Sequence, residues 1–267
     1  GVIWVDGGAV LNICDCEGTG SILCEGTDEP LFQKCTVYCL RTGALNLFGG
    51  NIIRTGGVHG RAVEITNFAA FKMYGGTVHN QNDDSSRPAV NSKTSASSEF
   101  PVRIYGGEII SDSGYGLAMD TYNADVLIEG GTISGGRCAV YINADGDALT
   151  LGGSPNLCVT GSNPEAVLYL TDRPDFVIIR DDFAPAQPIS VREFDNSEFA
   201  RPAAQDGTLE EKADYFVSAT EGYFVECADK NLRLTACRIT QQPAAENDYT
   251  VMANGSPVYQ WYKAVKG

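Results

Sequence analysis

Five segments in the first two thirds of the chain alternate apolar and polar residues and then run into a glycine pair. They read LNLFGGNI (Leu45–Ile52), FKMYGGTV (Phe71–Val78), VRIYGGEI (Val102–Ile109), VLIEGGTI (Val126–Ile133) and, more weakly, LTLGGSP (Leu149–Pro155). Side chains of a strand alternate between faces with period two. Phe71 and Met73 therefore share one face, and Lys72 and Tyr74 the other. The glycine pair permits a sharp corner, after which a second strand begins with Ile52, Val78, Ile109 or Ile133 pointing inward. The copies start at residues 45, 71, 102, 126 and 149, so they are 26, 31, 24 and 23 residues apart. A unit of this length marks a repeat architecture.

Each unit holds a third alternating segment: AVEIT (Ala62–Thr66), AVNSK (Ala89–Lys93), GLAMD (Gly116–Asp120), AVYIN (Ala139–Asn143) and AVLYL (Ala166–Leu170). Val63/Ile65, Leu117/Met119 and Val140/Ile142 supply its inward pairs. Val90 and Val167 continue the first inward column, while Ser92 and Tyr169 interrupt the second. Three short strands per unit, with no helical-period segment between them, argue against a strand–helix–strand crossover. They predict an all-β chain folded as a right-handed parallel β-helix with three strands per coil, a solenoid that buries its core by stacking neighbours. An antiparallel sandwich explains the strand lengths but not the fixed order of strand, Gly-Gly, strand, loop, strand.

The pattern divides the chain into three. Residues 1–180 form the β-helix, with a cap for its open end within residues 1–44. Residues 181–240 form a β-rich C-terminal end region, with strands at Ile189–Phe194, Tyr215–Ser218, Tyr223–Cys227 and Leu232–Thr235 and a short helix at Leu209–Ala213. Residues 241–267 are a linker or the start of an immunoglobulin-like module. Phe176–Ile179 reads as the last rung strand, and Asn80–Ser98 as a long projecting loop.

The formal net charge of −15 disfavours nucleic acid and anionic membranes, whose binding is driven by basic patches. No apolar run approaches a membrane span. Nine cysteines are present, five of them at positions 14, 16, 24, 35 and 39. Paired C-x-x-C knuckles are missing, so buried thiols or one or two disulfides are expected there in place of zinc. Cys227 and Cys237 are candidates for a bridge between two strands.

ICDCEGTGSI (Ile13–Ile22), FKMYGGTVHN, VLIEGGTISGG and LTLGGSPNLCVTGS followed by AVLYL resemble the β-helix repeats of secreted, cell-wall-linked proteins of Gram-positive, gut-type anaerobes, with a pectate-lyase-like fold. PISVREF (Pro188–Phe194), YFVSATEGYFVE (Tyr215–Glu226) and VYQWYK (Val258–Lys263) extend the resemblance. It implies an extracellular or wall location and a stalk or ligand-presenting role. The chain is then a monomer within a larger multidomain protein, facing a glycan or a host surface protein.

Catalytic motifs are fragmentary. His59-Gly60-Arg61 matches only part of the segment used by pectin hydrolases of this fold. Asp83-Asp84 and Asp181-Asp182 lie off the regular rungs, and acid–base chemistry needs carboxylates at set separations. Asn143, Asp145 and Asp147 resemble the start of a calcium loop, but its sixth-position Gly and twelfth-position Glu are absent. No metal site and no cofactor is assigned. The outward face of the Gly-Gly strands carries Phe48, Tyr74, Tyr105 and Glu129 in one column and Asn46, Lys72, Arg103 and Leu127 beside it. Lys72, Tyr74, Arg103 and Tyr105 are the candidate ligand contacts, because rings beside cations suit a sugar and its carboxylate or sulfate. A second outward column is Thr66, Lys93, Asp120 and Asn143, and Asp120, Tyr122 and Asp125 are the best place for a carboxylate pair. The expected function is a non-enzymatic adhesin-like module; the alternative is a polysaccharide lyase or glycoside hydrolase.

Overall fold

The computed structural model describes residues 3–26, 35–56, 59–94, 101–120, 125–143, 149–171, 177–193 and 198–237, with strand backbone at 239–241 and 252–253. The chain winds as a parallel β-solenoid with three sheets. The first sheet takes the AVEIT-type strands, the second the strands before the glycine pairs, and the third the strands after them. Six coils contribute to the third sheet, which is six-stranded; the first and second sheets continue to nine and ten strands.

The predicted columns are vertical. Val102 pairs with Phe71 on one side and Val126 on the other, and Val126 with Leu149. Ile52, Val78, Ile109, Ile133 and Leu157 stack in the third sheet. All these side chains are buried in one continuous core. Burying a Val, Leu, Ile or Phe side chain contributes about 1.5–3 kcal/mol relative to exposure, and each column repeats that gain at every rung.

Both glycines of a corner are required, one of them on two counts. Gly76 has φ +79, a conformation costly for any residue with a Cβ. Gly75 is held by close approach: a Cβ there would lie 2.7 Å from the Phe48 carbonyl oxygen of the preceding coil. The second glycines of the other four pairs share the positive φ.

One inward assignment changes. Leu168 pairs with Val140 and Leu170 with Ile142, so Tyr169 sits opposite Tyr141 on the outer face. The AVLYL segment is thus shifted by one residue from the frame expected, and a one-residue slip exchanges the two faces. Burial decides it: Leu168 and Leu170 are fully buried, where the expected frame would have put a tyrosine in the core. Ser92, in contrast, does interrupt the inward column between Ile65 and Met119. It is fully buried and its Oγ has no partner.

The stacking goes on past Val177–Ile179. Ile189–Arg192 and then Phe216–Ser218 extend the first sheet in parallel, and Glu198–Pro202 extends the second. The third sheet ends at Val159. Phe183, which follows the second-sheet strand Val177–Ile179, instead packs against Phe216, and Phe216 against Phe199. The three phenylalanines are buried in the core at this end. An antiparallel hairpin, Tyr223–Ala228 and Asn231–Ala236, closes this end with Leu232 and Leu234 in the core. Its two-residue turn has positive φ at Asp229 and Lys230, which matches the twist of tight hairpins. The helical segment near Leu209 is a 3-10 turn, Glu210–Tyr215. At the other end, Ile3–Val5, Val10–Ile13 and Ser21–Glu25 form a full coil and are the edge strands of the three sheets.

Two substitutions test this account. Gly76→Ala forces a Cβ within 2.5 Å of the Gly50 carbonyl oxygen and should lower unfolding stability by more than about 1 kcal/mol in urea titrations. Ser92→Ala removes a buried hydroxyl without a partner and should raise stability by about 1 kcal/mol; a loss would mean that the hydroxyl is satisfied in solution.

Candidate functional site

The second sheet places the predicted strip as the spacing implies. Asn46, Lys72, Arg103 and Leu127 are consecutive register partners. In the neighbouring column the Phe48 and Tyr74 rings stack with centroids 4.8 Å apart and planes 3° from parallel; Tyr74 and Tyr105 stack at 5.0 Å and 12°. These separations match the rung spacing of about 4.8 Å, so each ring lies across the solenoid axis with its faces against its neighbours. Phe48 is 48 % and Tyr74 44 % exposed. The strip therefore offers ring edges and hydroxyls to solvent. Arg103 Nη1 donates to the Tyr105 hydroxyl at 3.4 Å, and Glu129, next in the column, pairs with Arg180.

A different concave surface lies on the outer face of the first sheet. Tyr38, Glu64, Asn91, Ala118, Tyr141 and Tyr169 are register partners there. Ala118 leaves a gap in this column. Tyr115, three residues earlier, swings over it and stacks on Tyr141, with centroids 4.5 Å apart and planes 7° from parallel. Arg137 Nη1 donates to the Tyr115 hydroxyl at 2.6 Å and Arg137 Nη2 to Glu165 at 2.8 Å, which fixes the ring. Burial pushes the Tyr115 and Tyr141 hydroxyls up from the usual tyrosine range. Beside them a cleft of about 230 Å³ is bounded by Arg61, Arg87, Asn91, Tyr115, Asp120 and Asn143, among others.

Residues of the long Asn80–Ser98 segment form one side of this cleft, and buried polar groups pin them. Asn80, fully buried, donates to the carbonyls of Gly60 and Pro88, both at 3.1 Å. Ser111 Oγ donates to the Arg87 carbonyl at 3.2 Å. Arg87 Nε donates to Asp84 at 3.2 Å, and His59 Nδ1 lies 3.2 Å from the same carboxylate oxygen. Desolvation opposes the charge of Asp84, but hydrogen bonds from the Ser86 hydroxyl and amide and from Arg87 outweigh it and hold the carboxyl at about 2. His59 and Asp84 thus anchor a loop, and His79 Nε2 is 2.7 Å from Asp112 Oδ1.

The polar column of the first sheet is linked through its outer edge. Lys93 Nζ lies 3.6 Å from Asp120 and 3.8 Å from Glu64. Asn143 Nδ2 donates to Asp120 at 3.1 Å, and Thr171 Oγ1 to Asn143 at 3.1 Å. Tyr122, Asp145 and Asp147 lie outside the described residues, as do most of residues 241–267, including Val258–Lys263. Among the described residues, no three His, Cys, Asp or Glu side chains gather as a metal set, and no helix is long and apolar enough to cross a membrane. Cys35 and Cys39 are buried, and burial pushes both thiols up to about 12. The suggested Cys227–Cys237 bridge does not fit. Cys227 pairs with Leu232, and Tyr223 with Ala236, so Cys227 and Cys237 sit roughly five rises, or about 17 Å, apart along the hairpin. A disulfide spans less than about 7 Å between Cα atoms.

Asn91, Tyr115 and Tyr141 escaped the sequence reading as site residues, although Asp120 and Asn143 were singled out. The repeat marks where a strand lies but not that Tyr115 crosses to the gap above Ala118. The available signal was Ala118 itself, a small residue in a row of large ones.

Asp84 generates a pH prediction. Its folded-state value lies below the ordinary 3.8, so its contribution to stability is complete above pH ~4 and is lost as pH falls towards ~2. Asp84→Asn should lower stability at pH 7 and flatten the melting-temperature profile between pH ~4 and ~2; an unchanged acid limb would contradict the assignment.

The chain matches no protein-family model, no curated protein and no solved structure at a significant level. What is established is the parallel β-solenoid architecture.

Proposed function

We propose that this protein is a non-enzymatic, adhesin-like solenoid module that binds acidic carbohydrate along its flank and acts outside the cell, on a surface or in the wall. The observation that carries the reading is the second-sheet strip. Lys72 and Arg103 stand side by side in register, next to the Phe48–Tyr74–Tyr105 stack, on a chain of net charge −15. Cations beside partly exposed aromatic groups favour a ligand that brings its own negative charge.

The support is chemical. Tyrosine hydroxyls at the rim of the stack donate to or accept from sugar hydroxyls. Lys72 and Arg103 supply charge-assisted hydrogen bonds to carboxylate or sulfate. The stack itself stiffens the face, which lowers the ordering cost of binding. A host surface protein carrying such glycans is reached by the same chemistry.

A glycan array read with the purified protein tests this. Acidic glycans should be retained over neutral ones, and the double variant Tyr74→Ala/Tyr105→Ala should lose at least tenfold in affinity. Undiminished retention by that variant would remove the strip from the binding surface. Release of reducing ends or unsaturated sugars from the same glycans would replace a binding module by a hydrolase or lyase.

A further inference from the structure

We propose that the first-sheet cleft is a second, separate binding site, one that holds a single sugar unit carrying a carboxylate. It shares the carbohydrate reading above but none of its residues. The reason lies in unspent hydrogen-bond donors. Asn91 forms part of the cleft, is 2 % exposed, and its Nδ2 has no partner. Arg61, also at the cleft, leaves Nε buried and without a partner, while its Nη1 donates to Glu64 at 3.0 Å. Native proteins leave few buried polar atoms unpaired, and each one costs about 1–3 kcal/mol. Two orphan donors at one cleft call for an acceptor from outside. The terminal torsion of Asn is soft, so the Asn91 amide turns into the cleft at small cost.

The remaining lining selects the ligand. Both orphan groups are donors, and Arg87 adds a third cationic or donor side chain at the rim. Two N–H donors at one cleft, one of them on a guanidinium, suit the two oxygens of a carboxylate. Tyr115 and Tyr141 line the cleft and, with their faces stacked on each other and Arg137 over the Tyr115 ring, give it a flank of ring edges. At the same cleft, the Asp120–Asn143 pair presents an acceptor and a donor to hydroxyls. A volume of about 230 Å³ is below the range of drug-sized pockets, about 300–1,000 Å³, and admits one sugar unit instead of a chain. Glu64, Lys93 and Asp84 balance the local charge, so the cleft is not an acidic patch that would repel the ligand.

Saturation-transfer NMR with sodium D-glucuronate tests the site, with D-glucose and sodium acetate as the two halves of the chemistry. Glucuronate should bind, and glucose and acetate at least tenfold more weakly. Asn91→Asp keeps the size of the side chain and replaces a donor by a carboxylate; it should weaken glucuronate binding at least tenfold. Asn143→Ala, at the rim, should weaken it severalfold and serves if Asn91→Asp lowers the melting temperature enough to disturb the fold. Tyr74→Ala/Tyr105→Ala should leave glucuronate binding intact. Absence of glucuronate binding, wild-type binding by a folded Asn91→Asp or by Asn143→Ala, or equal binding of acetate would overturn the proposal. Loss of glucuronate binding only in Tyr74→Ala/Tyr105→Ala would assign the ligand to the strip.

Discussion

Register between successive coils is the constraint on which everything else depends. A parallel strand pair fixes each residue beneath its counterpart one rung above, and the period of two means that a slip of one residue turns a column inside out. In this chain the inward columns hold because almost every rung supplies a branched or aromatic side chain, from Leu45 through Phe71, Val102 and Val126 to Leu149 and Val177. The glycine corner serves the same end. Gly75 lets the backbone approach the coil below, and Gly76 turns it. Gly76 also approaches the preceding coil closely, so both positions of the corner exclude a Cβ.

That logic explains what was legible in the sequence. A buried column has to repeat the same chemistry at the same place, so the Gly-Gly strands, their partners and the order of three strands per coil could be read directly. The Lys72/Arg103 neighbourhood was legible for the same reason, since outward residues inherit the register of inward ones. The frame of Ala166–Leu170 was not. AVLYL matches AVYIN letter for letter at its start, and only burial of Leu168 and Leu170 breaks the tie. The first-sheet cleft was also hidden, because it depends on a side chain leaving its own column. Tyr115 fills the gap above Ala118, and no periodicity encodes that crossing.

The stacked rings carry a further lesson about surfaces on solenoids. A column of stacked aromatics stabilises itself by placing each face against the next, at a gain of about 0.5–1.5 kcal/mol per pair. The more regular the column, the fewer ring faces remain for a ligand. Phe48, Tyr74 and Tyr105 form such a column, and what they offer outward is edges, hydroxyls and the adjoining cations. The first sheet departs from regularity at Ala118, and there a concave surface appears.

Irregularity and unspent polar groups therefore coincide on one face. Asn91 and Arg61 keep buried donors without partners, while around them Asn80 and Ser111 hold the loop backbone through hydrogen bonds that are fully made. A loop pinned so thoroughly could have been arranged to satisfy two more donors if stability alone had shaped it. The cost of these two orphan donors falls at the cleft. A ligand acceptor offsets that cost only when bound, so the same atoms that weaken the free protein are those that strengthen its complex.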